Sequence, residues 1–273
     1  MLVWFVLTGL SVIFVSVDIR STPAHPVLKW AFVILTVFAG PVAAFVYVIG
    51  CREPLSGMHE AYVAARWRQV LGSTMHCAAG DGLGIIVGAV IATQLSLTGW
   101  AELSFEYVLG FGFGWTVFQA FAMRDMAGGS YVRSLRQTVL PEFVSMNVLM
   151  AGMVVTGRLL APRIAGSADP LAAGFWFTMS MALIAGFILA YPINWWLVAN
   201  HLKHGMITVR PVGQPSLHSR VPGDEGSPHM QPGSSNNGHT AAAGASIIAK
   251  AAMTLFSIAC LAVAITLTNW IGH

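Results

Sequence analysis

The residues best suited to chemistry in this sequence are a thiol and two carboxylic acids inside long apolar segments. Cys77 and Asp81 are separated by four positions, which places them about 40° apart on one face of a helix. Glu142 lies in another apolar segment, and Met146 follows it on the same helical face. Thiols and thioethers bind soft metal ions, whereas carboxylates bind harder cations or protons. The sequence therefore predicts a transition-metal site, whose candidate ligands are His76, Cys77, Asp81, Glu142 and Met146.

Three more polar side chains are predicted to lie at a similar depth. At a rise of 1.5 Å per residue, Asp81 lies about 9 Å and Glu142 about 6 Å beyond the cytoplasmic starts of their predicted helices. Gln119, Asn194 and Lys250 occupy comparable positions in three other segments. A charged group inside a bilayer costs about 2.5–3.5 kcal/mol, so each needs a partner or a role. We expect these side chains to form one polar layer in which Gln119, Asn194 and Lys250 support the ligands.

Simpler interpretations exist for most of these residues. Methionines often fill gaps in helix packing, and Cys77 can be a small buried hydrophobe. Lys250 can extend its amine to the headgroups. Glu142 follows Pro141 at the start of its predicted helix, where the helix dipole stabilises a carboxylate. Asp81 has no comparable explanation, so it is the strongest indicator of a functional site.

The composition indicates that membrane helices position these residues. The chain has 273 residues, of which 56% are hydrophobic and 9% charged, and its mean hydropathy is +0.69. Soluble domains carry about 25% charged residues, and a membrane-spanning helix needs about 20 apolar residues. The predicted fold is therefore an all-α polytopic membrane bundle of about seven helices. The predicted spans are Leu2–Val17, Trp30–Gly50, Met75–Leu97, Phe105–Met123, Thr138–Leu160, Leu171–Val198 and Ile247–Ile271.

The distribution of basic residues predicts the orientation and the domain limits. Ten Lys and Arg fall on one side of the predicted spans and four on the other, which places the N-terminus in the cytoplasm. Residues 1–200 form the predicted six-helix unit, 201–246 a disordered cytoplasmic linker, and 247–273 the seventh helix. Five histidines in the linker could capture a metal ion, although their irregular spacing is more typical of a polar linker: His201, His204, His218, His229 and His239.

A glycine ridge on the third predicted span indicates a close helix contact. Gly80, Gly84 and Gly88 form a GxxxGxxxG pattern that allows a neighbouring backbone to approach. The neighbour is either another helix of the chain or a second copy or partner in a membrane complex. The bilayer is the other expected partner, and the net charge of +3 gives no indication of nucleic-acid binding.

The run from His76 to Gly84 reads HCAAGDGLG. Other distinctive stretches are Ala39–Ala43 (AGPVA), Phe118-Gln119, Phe175–Phe177 (FWF) and Tyr191–Leu197 (YPINWWL). These motifs resemble those of an uncharacterised bacterial membrane family, the domain of unknown function 4396, in which the first run is similar to an HCGAGC-TLGD-like segment.

The resemblance implies a multi-pass protein of the bacterial cytoplasmic membrane, with a metal or redox site at the His-Cys motif. This chain has Asp81 at the position of the family's second cysteine, and Ile85 at the position of its acid. These differences disfavour a soft Cys₂His site and favour a site for protons or a harder cation.

Two functions from different classes follow. In the first, the chain transports or handles a transition metal or protons, with Asp81 and Glu142 binding the cation. In the second, it is a structural or assembly subunit that uses the glycine ridge. An enzyme is less favoured, because HExxH, GxSxG and P-loop motifs are absent from the sequence. Haem binding at His76 would need a second histidine within a span, and the predicted spans contain none.

Overall fold

The computed structural model describes residues 1–55, 57–124, 127–205 and 245–271, which form the expected all-α bundle. Most of the predicted linker, with His218, His229 and His239, lies outside these residues. The helices are α1 (Leu2–Asp18), α2 (Pro26–Gly50), α3 (His59–Val63), α4 (Arg66–Gln94), α5 (Trp100–Phe113), α6 (Ala120–Met123), α7 (Tyr131–Leu160), α8 (Ala173–Ala199) and α9 (Ile247–Ile271). A π-helical turn, Gly114–Gln119, joins α5 to α6, and a 3-10 turn, Ala161–Arg163, follows α7.

Five helices in the described part of the chain are long and apolar enough to cross a membrane, as in an integral membrane protein. Their bounds are Pro26–Gly50, Arg66–Gln94, Tyr131–Arg163, Ala173–Ala199 and Ile247–Thr268. The predicted count of seven is not confirmed. Helix α1 is a shorter apolar helix of 17 residues, and the fourth predicted span is divided into α5, the π-helical turn and α6.

Two helices begin well before their predicted apolar windows. Helix α4 starts at Arg66, and α7 starts at Tyr131, where the Ser130 hydroxyl accepts a hydrogen bond from the Arg133 amide. Asp81 therefore lies about 22 Å along α4, and Glu142 about 16 Å along α7. Because Glu142 is far from the first turn, the prediction that the helix dipole stabilises its carboxylate is wrong.

The glycine ridge of α4 contacts α5 and the π-helical turn of the same chain. A Cβ at Gly84 would lie 2.5 Å from the Leu109 carbonyl oxygen, and one at Gly80 would lie 2.9 Å from the Gly114 Cα. A Cβ at Gly88 would lie 3.0 Å from the Glu106 Cα. This face is thus filled within one chain, which agrees with the first of the two predicted alternatives, another helix of the chain, rather than with a second copy or a partner at Gly80, Gly84 and Gly88.

Helix α9 is joined to the bundle by a chain of buried polar side chains. The Tyr107 hydroxyl donates to the Asn147 Oδ1 at 2.7 Å, and the Asn147 Nδ2 donates to the Ser257 hydroxyl at 3.1 Å. These bonds connect α5, α7 and α9 through one asparagine of α7.

We expect Ser257→Ala to lower the free energy of unfolding by about 1 kcal/mol, because it leaves the buried Asn147 amide without an acceptor. Thr254→Val is the matched control on α9, since the Thr254 hydroxyl donates to the Lys250 carbonyl of its own helix. Thermal unfolding in detergent measures both variants. An equal loss in the two variants would contradict a bridging role for Ser257.

Candidate functional site

The structure brings Cys77, Asp81 and Glu142 together in the interior of the bundle. All three residues are fully buried, and their potential ligand atoms all lie within 4.8 Å of one another. The Cys77 thiol donates to the Asp81 Oδ2, with the two atoms 3.0 Å apart. We call these three residues the acid–thiol cluster. It consists of one i, i+4 pair from α4 and one residue from α7.

Lys203 is the residue of this site that the sequence analysis missed. Its Nζ lies 3.0 Å from the Glu142 Oε2, and the side chains are 3% and 0% exposed. The predicted linker includes Lys203, whereas the structure buries its side chain beside Glu142. After α8 the chain turns back, because the Leu202 and Lys203 amides both donate to the Leu197 carbonyl. The signal in the sequence is weak: one lysine beside an apolar leucine, four residues after the end of α8.

Ser145 connects the lysine to the thiol. Its hydroxyl accepts a hydrogen bond from the Lys203 Nζ at 2.8 Å and lies 3.2 Å from the Cys77 Sγ. The same hydroxyl donates to the Pro141 carbonyl of α7 at 3.0 Å, which fixes its position. The cluster and the lysine therefore share one hydrogen-bonded centre.

The site contains more acidic than basic groups. Asp81 and Glu142 face one ammonium group, and the Asp81 Oδ1 and Glu142 Oε1 have no hydrogen-bond partner in the described part of the chain. Burial lowers the pKa of Lys203, but the nearby Cys77, Glu142 and Asp81 together raise it by more than burial lowers it. The pKa of Lys203 therefore lies above its ordinary value. Lys203 thus carries a positive charge, and it pairs with only one of the two carboxyl groups, that of Glu142.

The Asp81 carboxyl is packed against the backbone of the π-helical turn. A Cβ at Gly114, the first residue of this turn, would overlap the Asp81 Oδ1. A π-helical turn widens the helix by one residue and is common at functional sites. Gly114 therefore provides the space for a carboxyl group between α4 and α5.

Of the other two predicted ligands, His76 lies outside the cluster and Met146 packs against α5. The His76 ring packs against Phe118 with centroids 5.5 Å apart, and its Nε2 has no hydrogen-bond partner among the described residues. Met146 is buried one turn beyond Glu142, and its terminal methyl group is directed towards Gly110. The packing interpretation of Met146 therefore fits its position.

The three predicted supporting residues also lie elsewhere. Gln119 lines a cavity together with His76. The Asn194 Nδ2 donates to the Ala190 carbonyl of its own helix at 2.9 Å. Lys250 is half-buried in the first turn of α9, and the lysine at the cluster is Lys203 instead. The contacts of Gln119, Asn194 and Lys250 thus include no residue of the acid–thiol cluster, since residues at a similar depth can face different directions around their helices.

Two cavities lie on either side of the acid–thiol cluster. The inner cavity has a volume of about 30 Å³, and its lining includes Ser73, one turn before Cys77. The outer cavity is larger, about 330 Å³, and reaches Ile85 and Met150, where Ile85 is one turn beyond Asp81. The other polar lining residues are His25, His76, Gln119 and His204 in the inner cavity, and Thr93, Glu102, Glu106, Arg158, Ser167, Thr178 and Thr268 in the outer one. One helical turn thus separates the cluster from each cavity.

Comparison with known proteins identifies one related family. The sequence profile of a domain of unknown function, DUF4396, matches residues 66–203, slightly more than half of the chain. The match includes the acid–thiol cluster and ends at Lys203. No curated protein and no solved structure matches the chain.

We expect Gly114→Ala to lower the free energy of unfolding by about 1–3 kcal/mol, because the added methyl group overlaps the Asp81 carboxyl. Gly112→Ala is the control, since a Cβ at Gly112 meets no atom within 4 Å. Thermal unfolding in detergent compares the two. A Gly112→Ala variant as unstable as Gly114→Ala would show that the effect is unrelated to Asp81.

Proposed function

We propose that this chain, which belongs to the DUF4396 family, is an integral membrane protein that carries a cation through the acid–thiol cluster. The cation we favour is a divalent transition metal such as zinc. The observation that supports this function is the convergence of a thiol and two carboxyl groups within 4.8 Å, fully buried between apolar helices.

The donor set of the cluster matches the preference of zinc. Zinc binds cysteine sulfur at about 2.3 Å and carboxylate oxygen at about 2.0–2.2 Å, usually with four ligands. Cys77, Asp81 and Glu142 supply three donors and leave a fourth position for water or Ser145. A divalent ion would also balance two carboxylates, which are otherwise expensive to bury.

The two cavities favour transport over permanent metal storage. A stored ion needs no route to either end of the bundle, whereas a transported ion needs one to each. Ser73 lines the inner cavity one turn before Cys77, and Ile85 lines the outer cavity one turn beyond Asp81. We therefore expect that a rearrangement over one turn of α4 would connect the cluster with one cavity at a time.

The alternative is a structural or assembly subunit, and the Lys203–Glu142 ion pair is the observation in its favour. In this case the pair only attaches the turn after α8 to α7. The glycine ridge no longer supports the alternative, because α5 covers it. A structural role also leaves the unpartnered Asp81 Oδ1 unexplained.

We expect the purified protein to bind one zinc ion per chain, and Cys77→Ser or Asp81→Asn to weaken binding by about a hundredfold, since each removes one ligand. Titration calorimetry with zinc chloride in detergent measures the affinity. Cys260→Ser and Asp169→Asn are matched controls, because neither residue belongs to the cluster. Absence of zinc binding by the unmodified protein, or equal binding by all variants, would refute the metal function.

In proteoliposomes, we expect zinc to enter the vesicles with the unmodified protein and not with Asp81→Asn. An enclosed zinc-sensitive dye reports the flux. Zinc binding without flux would indicate storage, and neither binding nor flux would favour the structural alternative.

A further inference from the structure

The ammonium group of Lys203 lies in the part of the candidate site where a metal ion would bind. Its ammonium lies 3.0 Å from the Glu142 Oε2 and 2.8 Å from the Ser145 hydroxyl, which itself lies 3.2 Å from the Cys77 Sγ. A metal ion bound to Cys77 and Glu142 would therefore occupy the immediate neighbourhood of the ammonium. Two positive charges at this separation repel each other strongly in a water-poor interior.

The position of Lys203 in the chain allows its side chain to leave the acid–thiol cluster. The residue lies on the turn that follows α8, after His201, which has a positive φ of 57°. A lysine side chain is a flexible four-carbon stem with a charged end. Lys203 is therefore attached to the site by a turn and a flexible side chain rather than by a membrane-spanning helix.

We propose that Lys203 is a tethered counter-cation that fills the acid–thiol cluster between transport events and is displaced when the metal ion binds. The inference rests on the proposed metal function of the cluster. Binding of the ammonium and binding of the metal compete, because both draw on the charge of Glu142. Lys203 thereby lowers the affinity for the metal and favours its release.

The test compares zinc affinities of lysine variants of the full chain. Lys203→Met keeps most of the side-chain volume and removes the charge, so we expect zinc to bind on the order of tenfold more tightly or better. Lys203→Arg keeps the charge and is expected to bind no more tightly than the unmodified protein. Lys250→Met is the matched control, because Lys250 lies outside the cluster. Titration calorimetry with zinc chloride measures all four proteins.

The outcomes separate this inference from the metal function. Zinc binding that depends on Asp81 but is equal or weaker in Lys203→Met would overturn the role of Lys203 and leave the metal function intact. Tighter binding in Lys203→Met that Asp81→Asn abolishes would support both. Absence of zinc binding in both the unmodified protein and Lys203→Met would refute both.

A second measurement needs no lysine variant. We expect zinc to increase the acetylation of Lys203 by a water-soluble reagent several-fold, because displacement exposes an amine that is 3% accessible in the structure. Mass spectrometry of the labelled protein quantifies the effect, with Lys250 as the internal reference. Acetylation of Lys203 that zinc leaves unchanged, in protein that binds zinc, would overturn the displacement.

Discussion

Two carboxyl groups in a water-poor interior need a positive charge or a hydrogen-bond donor nearby, and this requirement determines how the bundle is built around them. Glu142 obtains an ammonium group from Lys203, whereas Asp81 obtains the hydrogen bond of the Cys77 thiol. Ser145 lies between these two pairs and joins them into one centre. Burial of an acid is costly even when it has a partner, so a chain that retains two buried acids gains something other than stability from them.

The surrounding helices provide the space that this centre needs. The glycines of α4 allow α5 to approach closely, and Gly114 places the Asp81 carboxyl directly against the π-helical turn. The helix that carries Glu142 also carries Asn147, which fixes α9 to the bundle. Site and scaffold thus share α4 and α7, so movements of these helices would change the site directly. Because the inner and outer cavities lie on either side of the acid–thiol cluster, such movements would also affect the passage of an ion.

Composition and apolar windows predict the helical class correctly, because both depend on bulk hydrophobicity. Cys77 and Asp81 could be paired from their spacing alone, since an i, i+4 relation within one helix is local. A charge inside an apolar segment also indicates Glu142 as a site residue. Its position along the helix, however, depends on the start of α7 at Tyr131, which the apolar window does not give. Lys203 could not be found this way, because its place depends on a turn that folds back after α8. Only depth groups Gln119, Asn194 and Lys250 with the cluster in the sequence, and depth does not define the direction in which a side chain points.

The most direct test of the central claim is X-ray absorption spectroscopy at the zinc edge on the zinc-loaded protein. We predict one sulfur neighbour at about 2.3 Å, oxygen neighbours at about 2.0–2.2 Å, and loss of the sulfur neighbour in Cys77→Ser. A zinc environment without sulfur, or one that Cys77→Ser leaves unchanged, would show that the metal binds elsewhere and would contradict the account.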